Sequence, residues 1–90
     1  MIAAGEVAEL LQQLIRNACV NDGTPGSGGE VRSADTLDAY LGVAGERREP
    51  YPGRVSVLYR IPVAGKAPTL MLMGHTDVVP VNLDGWTVDP

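Results

Sequence analysis

The sequence predicts an α/β fold that contains two helices and two or three strands. Three observations support this prediction. Apolar residues recur at helical spacing between residues 6 and 18. Residues 54–63 alternate between an apolar and a more polar side, and residues 69–73 form an unbroken apolar run. With 90 residues, the chain corresponds to one small domain or to part of a larger one.

The first predicted helix runs from Glu6 to Ala18. Its apolar residues recur every three or four positions, which places them on one face of a helix. Glu6 and Glu9 lie in the first turn and Arg16 in the last, where these charges complement the helix dipole. The apolar face consists of Val7, Leu10, Leu11, Leu14, Ile15 and Ala18.

A second helix is predicted from about Gly29 to Leu41. Ser27 and Glu30 have the spacing of a capping box, in which each side chain binds an otherwise free backbone N–H group. Gly42 or Gly45 can end this helix, because glycine adopts the left-handed conformation without strain.

The stretch between the two helices, residues 21–30, is rich in glycine and invites a phosphate-loop interpretation. It has no Gly-Lys-Ser/Thr ending and no apolar strand before it. Val31 also stands where a dinucleotide-binding loop would need its third glycine. We therefore interpret this stretch as a turn that leads into the second helix.

Strands are predicted in the second half of the chain. Residues 46–49 are all charged and are interpreted as a solvated edge segment or a short outer strand. After a turn at residues 50–53, residues 54–63 form a strand with one apolar face. A loop then leads to residues 69–73, whose apolar run is typical of a strand buried on both faces. Farther along, Trp86 is interpreted as a hydrophobic plug rather than as the floor of a binding site.

The composition argues against several classes of function. The net charge is −4, and no cluster of basic residues extends beyond Arg47 and Arg48, which argues against nucleic-acid binding. No apolar run is long enough to span a bilayer, and the first residues lack the pattern of a secretion signal. Cys19 is the single cysteine, so no internal disulfide can form, and we expect a buried thiol. A cytoplasmic protein without membrane partners is therefore expected.

One histidine and one aspartate follow the apolar run, two positions apart. Side chains of a strand alternate between its faces, so His75 and Asp77 would share one face at the carboxyl end of the strand. Open α/β sheets bind their ligands at that end. Asp77 could accept the N–H of one ring nitrogen of His75, which would leave the other nitrogen free for a metal ion. Taken alone, the pair also fits a structural histidine.

The residues around this pair form a longer motif. They read Gly74-His75-Thr76-Asp77-Val78-Val79-Pro80 and are followed by Trp86-Thr87-Val88-Asp89-Pro90. The motif resembles the first metal-binding segment of a family of zinc-dependent exopeptidases and deacylases, which includes acetylornithine deacetylase, succinyl-diaminopimelate desuccinylase, aminoacylase and the glutamate carboxypeptidases. The resemblance implies the N-terminal part of a three-layer αβα catalytic domain that holds two zinc ions, or cobalt or manganese in their place. It also implies that His75 is a metal ligand and that Asp77 is the catalytic-site residue that orients its imidazole.

The activity implied by this resemblance is hydrolysis of an amide bond in an N-acyl amino acid or a small peptide by a metal-activated water. The other metal ligands and the glutamate base of the family come later than the residues matched here. We therefore expect residues 1–90 to be an N-terminal fragment of the catalytic domain, inactive by itself and prone to form homo-oligomers through exposed apolar surface. The alternative is a non-catalytic α/β interaction module that pairs through an exposed sheet edge.

Overall fold

Two helices and one two-stranded antiparallel sheet make up the regular structure. The computed structural model describes residues 2–90. In chain order the elements are helix α1 (Ala4–Arg16), helix α2 (Val31–Leu41), strand β1 (Glu46–Tyr51) and strand β2 (Arg54–Leu58). The predicted α/β class, with two helices and two strands, is confirmed. The three-layer domain stays a prediction, because the sheet of the described residues contains only these two strands.

Helix α1 covers most of its predicted range but ends two residues early. Ala18 has a φ of 49°, which lies in the left-handed region and cannot continue a right-handed helix. Asn17 is the C-cap residue, and its side-chain Nδ2 donates a hydrogen bond of 2.9 Å to Thr36 Oγ1 of α2. The helix therefore stops where the chain turns to contact α2.

The apolar face of α1 is only partly covered. No residue of this helix is buried, although Leu10 and Leu14 are half-buried. A hydrogen bond of 2.6 Å from the Tyr40 hydroxyl to Glu6 Oε1 joins α2 to the first turn of α1. The periodicity therefore predicted the helix correctly but did not predict burial of its whole apolar stripe. The residues left 53–65% exposed are Val7, Leu11 and Ile15.

The capping box predicted at the start of α2 is wrong. Glu30 is the N-cap residue, but it has helical backbone angles and no side-chain capping hydrogen bond forms. Ser27 Oγ instead donates to the carbonyl of Thr24 at 2.7 Å, inside the preceding turn. The Glu30 carboxylate accepts a hydrogen bond of 2.8 Å from Arg54 Nε of β2. This charge-assisted pair is stronger than a bond to a neutral backbone N–H, so ion pairing with β2 replaces the cap.

Helix α2 ends at Leu41, as predicted. Gly42 follows it with a φ of 71°, and its N–H donates to the carbonyl of Asp38 at 2.9 Å. Glycine adopts this left-handed angle without the steric cost that a side chain would add. At the other end of the helix, Val31 N–H donates to the carbonyl of Gly53 at 3.1 Å, which attaches α2 to the turn of the hairpin.

The charged segment after α2 forms the outer strand of an antiparallel hairpin, which was one of its two predicted states. Strand β2 ends at Leu58, well before the predicted end at Val63. Glu46 opens β1 and already pairs with Leu58, so β2 has no partner beyond that point, and Pro62 cannot donate a ladder hydrogen bond. The register is given by the pairs Glu46↔Leu58, Arg47↔Val57, Arg48↔Ser56 and, after a shift, Tyr51↔Arg54.

The strand predicted at residues 69–73 is wrong. These residues form neither helix nor strand. Among the described residues, no backbone–backbone hydrogen bond outside the helices and the hairpin involves residues 59–77. A strand requires a neighbouring backbone with which to pair, and no described backbone segment pairs with this run. The apolar side chains of residues 70–73 are 70–90% exposed: Leu70, Met71, Leu72 and Met73.

The hydrophobic plug predicted at Trp86 is also wrong, because the side chain of Trp86 is 54% exposed.

A small core joins the end of α1 to α2 and β2. Its buried apolar residues are Cys19, Ala34 and Val55, with exposed fractions of 1%, 1% and 8%. Cys19 Sγ lies 3.3 Å from the hydroxyl of Ser33, which is also fully buried. The prediction of a buried thiol is therefore confirmed. No helix within residues 2–90 has the length and apolar character needed to cross a membrane.

Candidate functional site

His75 and Asp77 are adjacent, and their geometry selects one form of the imidazole. The ring atom Nδ1 lies 2.8 Å from the backbone carbonyl oxygen of Asp77 and 3.3 Å from its Oδ1 atom. Both oxygens are acceptors, so in the neutral ring Nδ1 must carry the hydrogen and donate it. The lone pair of Nε2 is then free, and the side chain of His75 is 83% exposed. The neutral ring can therefore accept a ligand at Nε2.

Asp77 is held from its other side by Asn21. The side-chain Nδ2 of Asn21 donates to Oδ2 of Asp77 at 3.0 Å. This hydrogen bond is the main cause that lowers the pKa of Asp77 below its usual value, against an opposing effect of burial. The backbone N–H of Asp77 and the nearby imidazole of His75 lower the pKa further. The carboxylate is thus ionised at neutral pH and remains an acceptor.

A single parallel bridge brings these residues together. Val20 and Val78 form the bridge, in which Asn21 N–H donates to the carbonyl of Val78 at 2.8 Å and Val78 N–H donates to the carbonyl of Cys19 at 2.9 Å. Cys19 belongs to the buried core. The site is therefore attached to the core at the position where the chain leaves α1.

Asn21 is a site residue that sequence reasoning missed. Its Oδ1 atom accepts a hydrogen bond of 2.9 Å from Gly23 N–H, which is an Asx-turn, and the Asn-Asp-Gly sequence signals such a turn. Nothing in the local sequence indicates that the amide nitrogen of the same side chain reaches a carboxylate 56 positions later. This contact depends on the pairing of Val20 with Val78.

The described residues provide too few ligands for a complete zinc site. Catalytic zinc is held by about three protein ligands and a water. Within residues 2–90, no group of three or more His, Cys, Asp or Glu side chains is placed to hold a metal ion. His75 is a suitable type of ligand with a suitable partner in Asp77, but the two residues do not form a binding cage by themselves.

An open groove of about 1050 Å³ lies beside the site. His75 and Asp77 line it together with Met71 and Met73, and β2 contributes to the lining from across the groove. Most of its charged groups are paired with each other. Arg54 contacts Glu30 at 2.8 Å, and Arg60 contacts Glu46 at 3.1 Å. The apolar side chains that line the groove come from α2, from β2 and from the residue after β2: Ala34, Leu37, Val55, Val57 and Tyr59.

Comparison with known proteins gives one informative similarity. No protein-family model matches the chain, and no solved structure matches it. The chain is 32% identical to mouse (Mus musculus) aminoacylase-1 over 82 residues, which cover 90% of this chain and 20% of aminoacylase-1. The chain thus spans about a fifth of the length of that curated relative. Aminoacylases belong to the family that the motif around His75 resembles, so the similarity supports a relationship to hydrolases of the peptidase and deacylase type.

Proposed function

We propose that residues 1–90 form the N-terminal part of the catalytic domain of a zinc-dependent amidohydrolase that acts on an N-acyl amino acid or a small peptide. The observation that carries this proposal is the geometry of His75. Its Nδ1 atom faces the carbonyl and carboxylate oxygens of Asp77, so in the neutral ring Nδ1 donates and the lone pair of Nε2 is free on an exposed side chain. The similarity to mouse aminoacylase-1 supports the same direction.

In this proposal His75 is a metal ligand and Asp77 is the residue that orients it. A carboxylate or a carbonyl that accepts the second N–H of a ligating imidazole fixes its tautomer and increases its basicity. Asp77 offers both kinds of acceptor to Nδ1, the nearer being its own carbonyl at 2.8 Å. Asn21 holds the carboxylate in place through Oδ2. Zinc, when bound, would polarise the amide carbonyl and activate a water.

The 90-residue chain is expected to be inactive without further protein. The described residues contain no set of three metal-ligating side chains in one place, and the chain spans only 20% of the relative. The remaining ligands and a general base would come from additional sequence. N-acyl amino acids incubated with the purified chain and zinc should show no amide hydrolysis above background.

A chimera tests the proposal directly. Residues 1–90 would replace the matching fifth of mouse aminoacylase-1, and hydrolysis of an N-acetyl amino acid would be measured together with zinc content. We expect the chimera to be active, His75→Ala to abolish its activity, and Asp77→Asn to reduce it by about 10–100-fold. The matched control is Asp84→Asn, since Asp84 is an exposed loop residue.

The zinc content separates loss of the site from loss of the fold. In a folded chimera, His75→Ala should lower the bound zinc, whereas Asp84→Asn should not change it. Full activity and full zinc content in His75→Ala would contradict the proposal and would favour the non-catalytic interaction module.

A further inference from the structure

The side chain of Asn21 uses both ends of its amide group in hydrogen bonds. Its Oδ1 atom accepts from Gly23 N–H at 2.9 Å, and its Nδ2 atom donates to Asp77 Oδ2 at 3.0 Å. A backbone N–H can only donate, and an ionised carboxylate can only accept. The amide therefore has one orientation that satisfies both partners, and in this orientation its nitrogen faces Asp77.

The backbone around this amide is also held in place. Asn21 N–H donates to the carbonyl of Val78 at 2.8 Å, and Val78 N–H donates to the carbonyl of Cys19 at 2.9 Å. Cys19 is 1% exposed, so this bridge is anchored in the core. Gly28 N–H donates to the carbonyl of Val20 at 2.8 Å, which closes the loop that begins at Asn21. The amide thus projects from a fixed position.

The two oxygens of the Asp77 carboxylate face different partners. Oδ2 accepts from Asn21, whereas Oδ1 lies 3.3 Å from Nδ1 of His75. The backbone carbonyl of Asp77 is nearer to Nδ1, at 2.8 Å, but only the carboxylate can be moved away by rotation of a side chain. Because His75 is 83% exposed, its ring depends on these polar contacts rather than on packing. Asn21 therefore holds the one acceptor of the ring that is able to leave.

We propose that Asn21 is a positioning residue for His75. By donating to Oδ2, it turns Oδ1 of Asp77 towards Nδ1, which favours the neutral imidazole that carries its hydrogen on Nδ1 and presents Nε2 outwards. Positions 21 and 77 then need one amide donor and one carboxylate acceptor between them, with an oxygen of residue 77 left for the ring. The inference deepens the proposed function, on which its consequence for metal binding rests, whereas the state of the ring is a property of residues 1–90.

An exchange of the two side chains separates this role from general support of the fold. In Asp77→Asn, Asn21 still donates, so the new amide must turn its oxygen to Asn21 and its nitrogen to His75, where two donors then face each other. In the double variant Asn21→Asp/Asp77→Asn, the carboxylate lies at position 21. The amide nitrogen at position 77 turns towards it, and the amide oxygen again faces Nδ1. The double variant also keeps the net charge of −4.

Nitrogen NMR of the 90-residue chain without metal measures the ring directly. His75 is the one histidine of the sequence, so isotope-labelled histidine gives the signals of this ring alone. At a pH of about 9 the imidazole is neutral, and the shifts of Nδ1 and Nε2 give the ratio of the two tautomers. We expect Asn21→Asp and Asp77→Asn each to lower the ratio of Nδ1–H to Nε2–H by about 2–10-fold, the effect of one hydrogen bond. The double variant should return the ratio to within about twofold of the parent value.

Asn82→Asp is the matched control for the added charge. Asn82 Oδ1 accepts from the N–H two residues later, as Asn21 Oδ1 does, but Asn82 does not contact Asp77. This variant should leave the ratio unchanged. Asn21→Ser removes the amide donor without adding a charge, while its hydroxyl can still accept from Gly23 N–H, and it should lower the ratio as Asn21→Asp does. Circular dichroism verifies that each variant keeps its helices.

Two results would overturn the proposal. One is an unchanged ratio in folded Asn21→Asp and Asn21→Ser chains, and the other is a double variant whose ratio is no closer to the parent than that of Asp77→Asn. Failure of the proposed function is distinguishable from both, because full activity of the chimera with His75→Ala would contradict the metal role without changing these ratios.

Discussion

Residues 4–60, here called the packed region, differ sharply from residues 61–90, the open region. Val55 in the packed region is 8% exposed, whereas Leu72 in the open region is 85% exposed. Both residues are apolar and both lie in segments for which the sequence predicts a strand. Val55 lies in β2, against which α2 packs, while Leu72 lies in a run that forms no backbone hydrogen bond with the described residues. Burial of an apolar side chain therefore depends on an available partner surface, not on hydrophobicity alone.

One segment of the open region is attached to the packed region, and this segment contains His75 and Asp77. Three hydrogen bonds join this part of the chain to residues 19–21: two between backbones at Val78 and one from Asn21 to the Asp77 carboxylate. A few well-placed polar contacts therefore order the candidate site, although the apolar residues 70–73 immediately before it remain exposed.

The strongest test of the comparison introduces the same charge into each region. Ala34→Asp in the packed region places a carboxylate at a position that is 1% exposed, and we expect a loss of about 3–5 kcal/mol in the free energy of unfolding. Ala64→Asp is exposed in the open region and should change it by less than about 0.5 kcal/mol. Urea unfolding followed by circular dichroism measures both. Similar losses in the two variants would remove the distinction between the regions.

A second prediction compares two ion pairs, one made by Arg54 of β2 and one made by Arg60, which follows β2. Arg54→Gln removes the partner of Glu30, whose side chain is only 10% exposed, and should cost about 1–3 kcal/mol because a nearly buried carboxylate loses its charged partner. Arg60→Gln is the control at the boundary of the open region. Its pair with Glu46 is 73% and 52% exposed, so we expect less than about 1 kcal/mol. Equal effects in urea unfolding would argue against a special role for the Arg54 contact.

The packed region should also show two pH-dependent losses of stability. Hydrogen bonds from the Tyr59 hydroxyl, from Gly45 N–H and from Arg47 lower the pKa of Asp38 from 3.8 to about 2. Because the folded-state pKa is the lower one, this stabilisation is complete above pH 3.8 and is lost as the pH falls towards about 2. Burial, followed by the Asp38 contact, raises the pKa of Tyr59 from 10.0 to about 12. That stabilisation is complete below pH 10 and is lost as the pH rises towards about 12.

The dependence of the melting temperature on pH tests these two losses of stability, which are here called the acid limb and the alkaline limb. Tyr59→Phe should remove the alkaline limb and raise the pKa of Asp38 towards its usual value, since the Tyr59 hydroxyl is the main cause of its lowering. The control is Tyr51→Phe, because Tyr51 is 46% exposed in the hairpin, and it should leave both limbs unchanged. An alkaline limb that persists in Tyr59→Phe would contradict the assignment.

The smallest expected effect is local to the candidate site. Asn21→Ala removes the hydrogen bond that is the main cause of the lowered pKa of Asp77, so this pKa should rise. Asn82→Ala is the matched control, because Asn82 Oδ1 accepts a hydrogen bond from Asp84 N–H and does not contact Asp77. Carboxyl chemical shifts followed by NMR against pH give the pKa directly. An unchanged pKa in Asn21→Ala would show that Asn21 does not hold the carboxylate.

Local rules predicted the elements of the packed region well. The apolar periodicity indicated α1, the left-handed preference of glycine indicated that α2 ends at Gly42 or Gly45, and the Pro-Gly sequence indicated the turn at residues 50–53. Local rules failed where a distant partner decided the outcome. Glu30 bonds to Arg54 rather than capping its own helix.

The sequence by itself determined the two helices, the turn at residues 50–53 and the imidazole two positions before a carboxylate, because these properties depend on neighbours along the chain. Only the tertiary structure decided that Asn21 holds Asp77, that Nδ1 is the ring nitrogen of His75 that faces Asp77, and that residues 69–73 remain unpaired. These outcomes depend on which surfaces and backbone groups meet across long sequence separations. Such long-range contacts are set by the packing of whole elements and leave no local pattern in the residues themselves.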